Sequence, residues 1–353
     1  MNDVLAQLAE TIRVADKERR GLCIESGATK RFYGREASGK KLSLANYGGI
    51  VSYEPTELVV TARAGCRLNE LEAELATRGQ ILAFEPPQFG PAATVGGAVA
   101  AGLSGPRRPY AGAIRDFVLG VTAMNADGEI MRYGGQVMKN VAGFDVSRLM
   151  VGALGTLGVI LEASFKVLPK PSREITLAHE VDIERGLRLM NEWAAKPTPV
   201  SATAWMDGVL RVRISGSIAA LSAARRSIGG EEDADGDKFW LALREQSLPF
   251  FVEPGPLWRL SVPPAVTHIE IAADTVIEWG GAQRWLRGGS IDFERLTRLA
   301  RGLGGHASVF RGGERDREVF SPLVAPMQVL HRRVKAAFDP HGIFNPGRLY
   351  GSF

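Results

Sequence analysis

Three stretches of small residues, spaced about 70 and 60 residues apart, limit what this chain can become. The first, Ser26-Gly27-Ala28-Thr29, follows a short apolar run, Leu22–Ile24. The second runs from Ala93 to Gly105 as Ala-Thr-Val-Gly-Gly-Ala-Val-Ala-Ala-Gly-Leu-Ser-Gly. The third is Gly152-Ala-Leu-Gly-Thr-Leu-Gly-Val-Ile160. Where side chains are this small, backbone can approach backbone, or a bound molecule, at contact distance. The third stretch has a G-x-x-G-x-x-G spacing and leads from a helix into a strand. A nicotinamide-binding Rossmann unit needs G-x-G-x-x-G and the opposite order, so a standard NAD site is excluded.

The text between these stretches reads as short strands with few helices. An amphipathic helix is expected over residues 4–20. Strands are expected at Leu22–Ile24, Leu42–Leu44, Ile50–Tyr53 and Leu58–Ala62, the last rich in β-branched residues. Leu68, Leu71 and Leu75 at helical spacing predict a helix over Arg67–Arg78, which Gly79 stops. Ile81–Phe84 is extended. Phe117–Asn125 alternates, turns at Asp127-Gly128 and returns as Glu129–Tyr133. A short helix at Val146–Val151 and a strand at Gly158–Val167 complete the unit. Strand and helix do not alternate as in a doubly wound sheet, so residues 1–170 are expected to form an α+β domain. Residues 171–335 are expected to form a smaller antiparallel sheet with helices on one face. Its strands fall at Arg173–Glu180, Ala202–Met206, Val209–Ile214, Leu257–Val262, Val276–Trp279 and Ala307–Phe310. Its helices lie near 183–195, 218–229, 291–303 and 322–338, and Glu231–Asp237 reads as an acidic surface loop or helix start.

Composition narrows the function classes. The 353 residues are 45% hydrophobic and 23% charged, enough for two packed cores and unlike a disordered chain. The net charge of +4 is dispersed, with no basic run or basic–aromatic stripe for nucleic acid. The two cysteines, Cys23 and Cys66, form no disulfide framework and indicate a reducing compartment. Neither belongs to a CxxC, so no metal or iron–sulfur site is expected in this chain. The N-terminal residues lack a signal-peptide core. Pro86–Pro106 carries no charge for 21 residues, but its four prolines and five glycines make it a loop and short helix, not a span. The expected location is the cytoplasm, with the inner face of the membrane reached through partners.

Two of the small-residue stretches have chemical uses. A loop of backbone N–H groups after a strand is an inexpensive way to hold a pyrophosphate. Ser26–Lys30 fits, with the Thr29 hydroxyl and the Lys30 charge as additional donors. The same residues also suit a tight turn between strands. Gly96 and Gly97 open a helix turn against which a flat ring could lie. Close helix–strand packing without a ligand would use them equally well.

The three stretches in this order resemble the vanillyl-alcohol-oxidase-type (PCMH-type) FAD-binding family, which also holds D-lactate dehydrogenases. Val60-Thr-Ala-Arg-Ala-Gly65, Ile114-Arg-Asp-Phe-Val-Leu-Gly-Val121 and Phe338-Asp-Pro-His-Gly-Ile-Phe-Asn-Pro-Gly347 carry the same likeness. Val137-Met-Lys-Asn-Val-Ala-Gly-Phe-Asp-Val-Ser-Arg-Leu149, Glu278-Trp-Gly-Gly281 and Gly304-Gly-His-Ala307 are similar to the FAD-binding subunits of glycolate oxidases in particular. The resemblance implies a two-subdomain FAD domain, a smaller α+β cap over 171–335, and a return segment, 336–353, packed on the FAD domain. Ser26, Gly27, Ala28, Thr29 and Lys30 would wrap the FAD pyrophosphate. Thr94, Val95, Gly96 and Gly97 would lie near the flavin-proximal part, with Ser104 and Gly105 nearby. Gly155, Thr156, Gly158, Val159 and Ile160 would hold the adenosine end, and Asn345 and Arg348 would come from the return segment.

One departure stands out. The family's first loop is richer in glycine and often begins with Arg, whereas this chain has Glu25, Ser26 and Ala28. A carboxylate there must point away or pair, with Lys30 or Arg31 at hand. None of the five histidines lies in the loop, which implies non-covalent FAD. The resemblance implies a subunit that works with a catalytic flavoprotein subunit and an iron–sulfur subunit to oxidise glycolate, and D-lactate as a second substrate, to the 2-oxo acid. The G-D-G-N-x-H cap motif of catalytic relatives is absent, leaving His306 and His341 as the only candidate catalytic histidines. A stand-alone 2-hydroxy-acid dehydrogenase using one of them with a cap arginine stays open, as does an assembly subunit that keeps the fold without cofactor. Trp205, Trp240, Trp258, Trp279 and Trp285 are expected to be core or interface aromatics.

Overall fold

The alternating and β-branched runs of the first half pair into one antiparallel sheet, ordered Ile50–Glu54, Val59–Arg63, Val159–Lys166, Val118–Met124 and Ile130–Gly134. This computed structural model describes residues 2–135 and 144–352. Val159–Lys166 lies at the centre of that sheet. Its near-continuous burial replaces the alternation of a half-exposed strand, because both of its faces are covered. Helices Leu68–Thr77 and Val95–Ala101 pack their small and leucine faces into the same core. The Asp127-Gly128 turn joins the last two strands, with Gly128 at φ +71°, a left-handed conformation glycine adopts without strain. A separate parallel pair, Leu22–Glu25 with Lys40–Ser43, carries the first small-residue loop at its end.

The second half forms an eight-stranded, wholly antiparallel sheet. It exceeds the first sheet in strand number, where the sequence predicts a smaller one. It adds Gln283–Arg287 and the short Glu231–Glu232, which sequence patterning does not reveal, to the six strands read from the sequence. Gln283–Arg287 is buried at every position although it reads Gln-Arg-Trp-Leu-Arg. Its arginines are satisfied by main-chain carbonyls: Arg284 donates to Thr267 and Val266, and Arg287 to Phe251 and Glu253. One face of the sheet is aliphatic and covered by helices Ile183–Ala194, Ile218–Ile228 and Phe293–Gly302. The acidic stretch does begin a helix, Gly236–Glu245. It packs on the opposite face, where Trp240 Nε1 donates to Thr176 Oγ1 at 2.9 Å. Among the described residues no helix is long and apolar enough to cross a membrane.

The chain then returns to the first domain. The last turn of helix Ala325–Phe338 carries Lys335, whose buried ammonium donates to Asp339 Oδ2 at 2.6 Å, Thr156 O at 2.7 Å and Phe344 O at 3.0 Å. Asp339, fully buried, accepts in turn from the amides of Ile343 and Phe344. Leu22 N then donates to Ile343 O at 2.7 Å and Asn345 N to Leu22 O at 2.9 Å, so the return segment lies along the Leu22–Glu25 strand. Removing one member of a buried ion pair leaves the other charge uncompensated. Lys335→Met should therefore lower stability by about 3 kcal/mol, read as a fall in the urea midpoint.

Candidate functional site

The first loop, the start of the Val95–Ala101 helix and the return segment meet in one cleft. It is lined by Cys23–Arg31, Ala37, Thr94, Gly97, Ala100, Ala101, Leu154, Asn345 and Arg348. The loop fits an anionic, closely approaching ligand. Among the described residues, no hydrogen bond within the protein engages the backbone N–H groups of residues 26–30. The Ser26 hydroxyl is buried with no partner. A buried hydroxyl is ordinarily satisfied, so the idle Ser26 side chain beside a run of unengaged backbone donors marks a place for an acceptor from outside the chain. Gly27 is obligatory here, because a Cβ would fall 1.6 Å from the Ala92 carbonyl oxygen. Ala28 sits at φ +55°, where the family more often has glycine.

The Glu25 departure is resolved by pairing. Its carboxylate contacts Arg31, as expected, and Lys41 rather than Lys30. Burial alone would raise the Glu25 carboxyl, but hydrogen bonds and charge from Lys41 and Arg31 outweigh it and hold the group below its ordinary value. Lys30 does not reach over the loop. Its side chain is buried, donates to Gln88 O at 3.3 Å and lies over the Phe89 ring. Burial pushes its ammonium down to about 8, against a smaller opposing effect of Glu245. Charge on a ligand in this loop is therefore met by backbone dipoles, not by a lysine.

The second stretch is largely spent inside the protein. Thr94 Oγ1 accepts from Gly97 N, while Val95 N and Gly96 N donate to the carbonyls of Cys66 and Ala64. Thr94 and Gly97 present surface to the cleft; Val95 and Gly96 are packed beneath it, with Gly96 hard against Ala64. Of the third stretch only Leu154 reaches the cleft. Gly155 packs at φ +72° on the Asn345 amide, and Gly158 faces Met124 O. Val159 and Ile160 are core strand residues, and Thr156 donates its hydroxyl to Ala153 O. Asn345 acts as a fastener: Ile24 N donates to its Oδ1 at 2.7 Å, and its Nδ2 donates to Leu154 O at 2.6 Å. Arg348 ties down the loop by donating to the carbonyls of Lys30, Arg31 and Arg35, and burial lowers it to about 10. Val137–Gly143, part of the resemblance, lies outside the described residues.

Ser104 and Gly105 stand elsewhere, against the second domain. Gly105 O accepts from Trp279 Nε1 at 3.1 Å, and Ser104 Oγ accepts from Ile114 N. They line an interface cavity of about 50 Å³ with Arg259, Glu278, Gln283 and Trp285. Sequence reasoning missed these last residues as a group. The available signal was polar residues set inside otherwise apolar strands. Of the candidate histidines, His306 heads the His306–Arg311 strand and lines a larger neighbouring cavity with Arg259 and Tyr33. Its outer edge is exposed, yet burial of the ring and the charges of Arg259 and Arg108 lower it below the ordinary histidine value. His341 lies at the surface, where its Nδ1 is 2.9 Å from Asp16 Oδ1 on the N-terminal helix, and it lines neither cavity. Cys66 is a core residue, whereas Cys23 lines the cleft.

Two outcomes follow from the loop. Gly27→Ala drives a methyl into Ala92 O, so the purified variant should lose at least about tenfold in flavin bound per chain, read at 450 nm. Lys30 has a folded value near 8 and an ordinary value of 10.5. Between these pH values the unfolded chain holds a proton the folded chain has lost, so stability rises with pH across that window. In Lys30→Met that rise should vanish, seen by comparing urea midpoints at the two ends of the window.

Comparison with known proteins agrees with this geometry. Residues 4–134 match the family described as FAD binding domain, and residues 326–349 match FAD linked oxidases, C-terminal domain. The chain is 44% identical over 348 residues to glycolate oxidase subunit GlcE of Escherichia coli strain K12, covering 99% of this chain and 98% of that one. It is 34% identical to D-lactate dehydrogenase of Anaerostipes hadrus over 50% of this chain and 38% of that one. Among solved structures, alkyldihydroxyacetonephosphate synthase shares the fold with a TM-score of 0.66 at 15% identity, over 97% of this chain and 75% of that one. The idle-donor loop, the PCMH-type α+β architecture and these likenesses agree: the chain belongs to the FAD-linked oxidoreductase family that contains glycolate oxidase subunit GlcE.

Proposed function

We propose that this chain is the FAD-binding subunit of a complex that oxidises glycolate, and D-lactate as a second substrate, to the corresponding 2-oxo acid. The observation that carries the reading is the arc of unengaged N–H groups at residues 26–30, set in a chain similar along its whole length to a glycolate oxidase subunit. Bound FAD supplies the hydride acceptor. The protein's part is to hold and orient it. Ser26–Lys30 would take the pyrophosphate, Thr94 and Gly97 would flank the chain towards the flavin, and Ser104–Gly105 would lie by the ring. Gly155–Ile160 would shape the adenosine end from behind the cleft, with Asn345 and Arg348 closing it. Attachment is non-covalent, as the absence of a loop histidine supports.

The chain works with a catalytic flavoprotein subunit and an iron–sulfur subunit on the cytoplasmic side. The reading of the domains is 1–170 for FAD, 171–335 for the cap and 336–353 for the return. A second reading, a dehydrogenase complete in one chain, is favoured by one observation: His306 and Arg259 line the same cavity. The purified chain should show two flavin bands between about 300 and 550 nm, and acid precipitation should release the flavin to the supernatant. Assayed alone with glycolate and an artificial acceptor, it should turn over weakly. Strong turnover favours the single-chain reading, and a colourless chain that FAD cannot reconstitute overturns both.

A further inference from the structure

The inner face of the cap sheet carries a polar row that packing does not require. Directly opposed residues in an antiparallel sheet share a face. The register sets Glu278 opposite Gln283, Gln283 opposite Ser261, and Ser261 opposite His306. The next row on that face sets Trp285 opposite Arg259 and Arg259 opposite Ser308. These rows turn towards the first domain, and Glu278, Gln283 and Arg259 line the cavity that Ser104 and Gly105 close.

Five polar atoms on this face are buried without a partner among the described residues, Gln283 Oε1, Arg259 Nε, Ser308 Oγ, Arg287 Nε and Arg311 Nε, and of their residues Gln283 and Arg259 line the cavity. Gln283 is 3% exposed, so its idle oxygen is a buried acceptor beside a cavity rather than a surface group. Glu278 accepts from Gln283 Nε2 and Trp285 Nε1, both at 2.7 Å and both on Oε1. Among the described residues no hydrogen bond reaches Oε2, and the residue lines the cavity. A cation, an acceptor and a carboxyl group thus converge on a space of about 50 Å³, the size of a molecule of a few heavy atoms.

We propose that this cavity binds a small acid bearing oxygen on its second carbon, with Arg259 on its carboxylate and the Glu278 carboxyl hydrogen-bonded to the second-carbon oxygen. Gln283 Oε1 receives any donor the ligand presents. The inference rests on the 2-hydroxy-acid reading above and assigns that reading a ligand site. Burial pushes Glu278 up to about 7, against the hydrogen bonds of Trp285 and Gln283. The charged groups facing it are Glu85 of the first domain, Arg259 of the Leu257–Ser261 strand, which lies one strand beyond Gln283–Arg287, and Arg244 of helix Gly236–Glu245. A keto oxygen needs a donor, so a 2-oxo ligand requires Glu278 in its protonated form. Above neutral pH, binding must then draw a proton from solvent onto Glu278; in mildly acidic solution the proton is already there.

The test is calorimetric titration of the FAD-loaded chain with oxamate, a 2-oxo carboxylate mimic, in two buffers of different ionisation enthalpy. At about pH 8, wild type should take up close to one proton per oxamate, falling towards none near pH 5.5. Glu278→Gln, which preserves shape, should bind within about threefold of wild type with no proton uptake. Arg259→Met should lose at least about tenfold in affinity. Flavin absorbance of each variant reports folding independently, and each variant tests a different contact. Absence of oxamate binding by the flavin-loaded chain, uptake that persists in Glu278→Gln, or unchanged affinity in Arg259→Met would each overturn the site. A wild-type chain without flavin instead overturns the functional reading on which it rests.

Discussion

A buried cluster of charges holds the two sheets in register with one another. Arg107, from the loop after the second small-residue stretch, donates to Glu85 at 3.2 Å and to Glu174 of the cap at 2.7 Å. Arg213 of the cap reaches back to Glu85 at 2.8 Å. Both arginines are almost fully buried. Burial would raise the Glu174 carboxyl, but the charges of Arg107 and Arg213 and the Ser215 hydroxyl hold it below its ordinary value. Such a cluster adds little net stability, since desolvation cancels most of the attraction. Its effect is positional: sliding one sheet over the other would strand buried charges. The cost of stranding them keeps Ser104–Gly105 against Trp279 and the interface cavity at its small size.

The same economy explains why the cap has two unlike faces. Its outer face is aliphatic and takes three helices. Its inner face carries arginine, glutamate, glutamine and serine that face another domain and not water. Aromatic rings fill the gaps. Phe32 and Tyr33, just past the first loop, pack on Phe310, and Phe310 packs on Trp285 at 4.7 Å between ring centroids. Glu245 adds a polar tie by accepting from the amides of Gln88 and Phe89. The first loop is therefore mechanically continuous with the second sheet, through Tyr33 and its bond from Arg259.

How much of this the sequence discloses depends on what each segment must bury. Strands such as Val59–Arg63 and Arg173–Glu180 are readable because their β-branched or alternating residues match their faces. The helices read equally well: Leu68, Leu71 and Leu75 are all fully buried. Gln283–Arg287 is hidden because its arginines are neutralised by carbonyls from distant loops, and no local pattern records that. The site shows the same division. The location of the first loop is legible from Gly27, which only a bare backbone can occupy. The direction of Lys30 is not, because Gln88 and Phe89 lie 58 and 59 positions away in the chain. Asn345 reads as a ligand contact in isolation, but its amide hydrogen-bonds to two backbone partners, Ile24 and Leu154, that lie 321 and 191 positions away in the chain.

The loop's departure from its family follows from the same physics. A glycine-rich loop gains donors by freeing the backbone. This loop keeps Ser26 and Ala28 and is clamped from outside. Arg348 holds three of its neighbouring carbonyls, Asn345 pins Ile24, and Glu25 is turned aside onto Arg31 and Lys41. Preorganisation by clamping makes the cleft depend on residues after the Lys335–Asp339 lock, because Arg348 and Asn345 follow it in the chain. The return segment is thus part of the cleft's geometry, and a chain cut before it would retain the first loop's sequence without the bonds from Asn345 and Arg348 that hold its backbone.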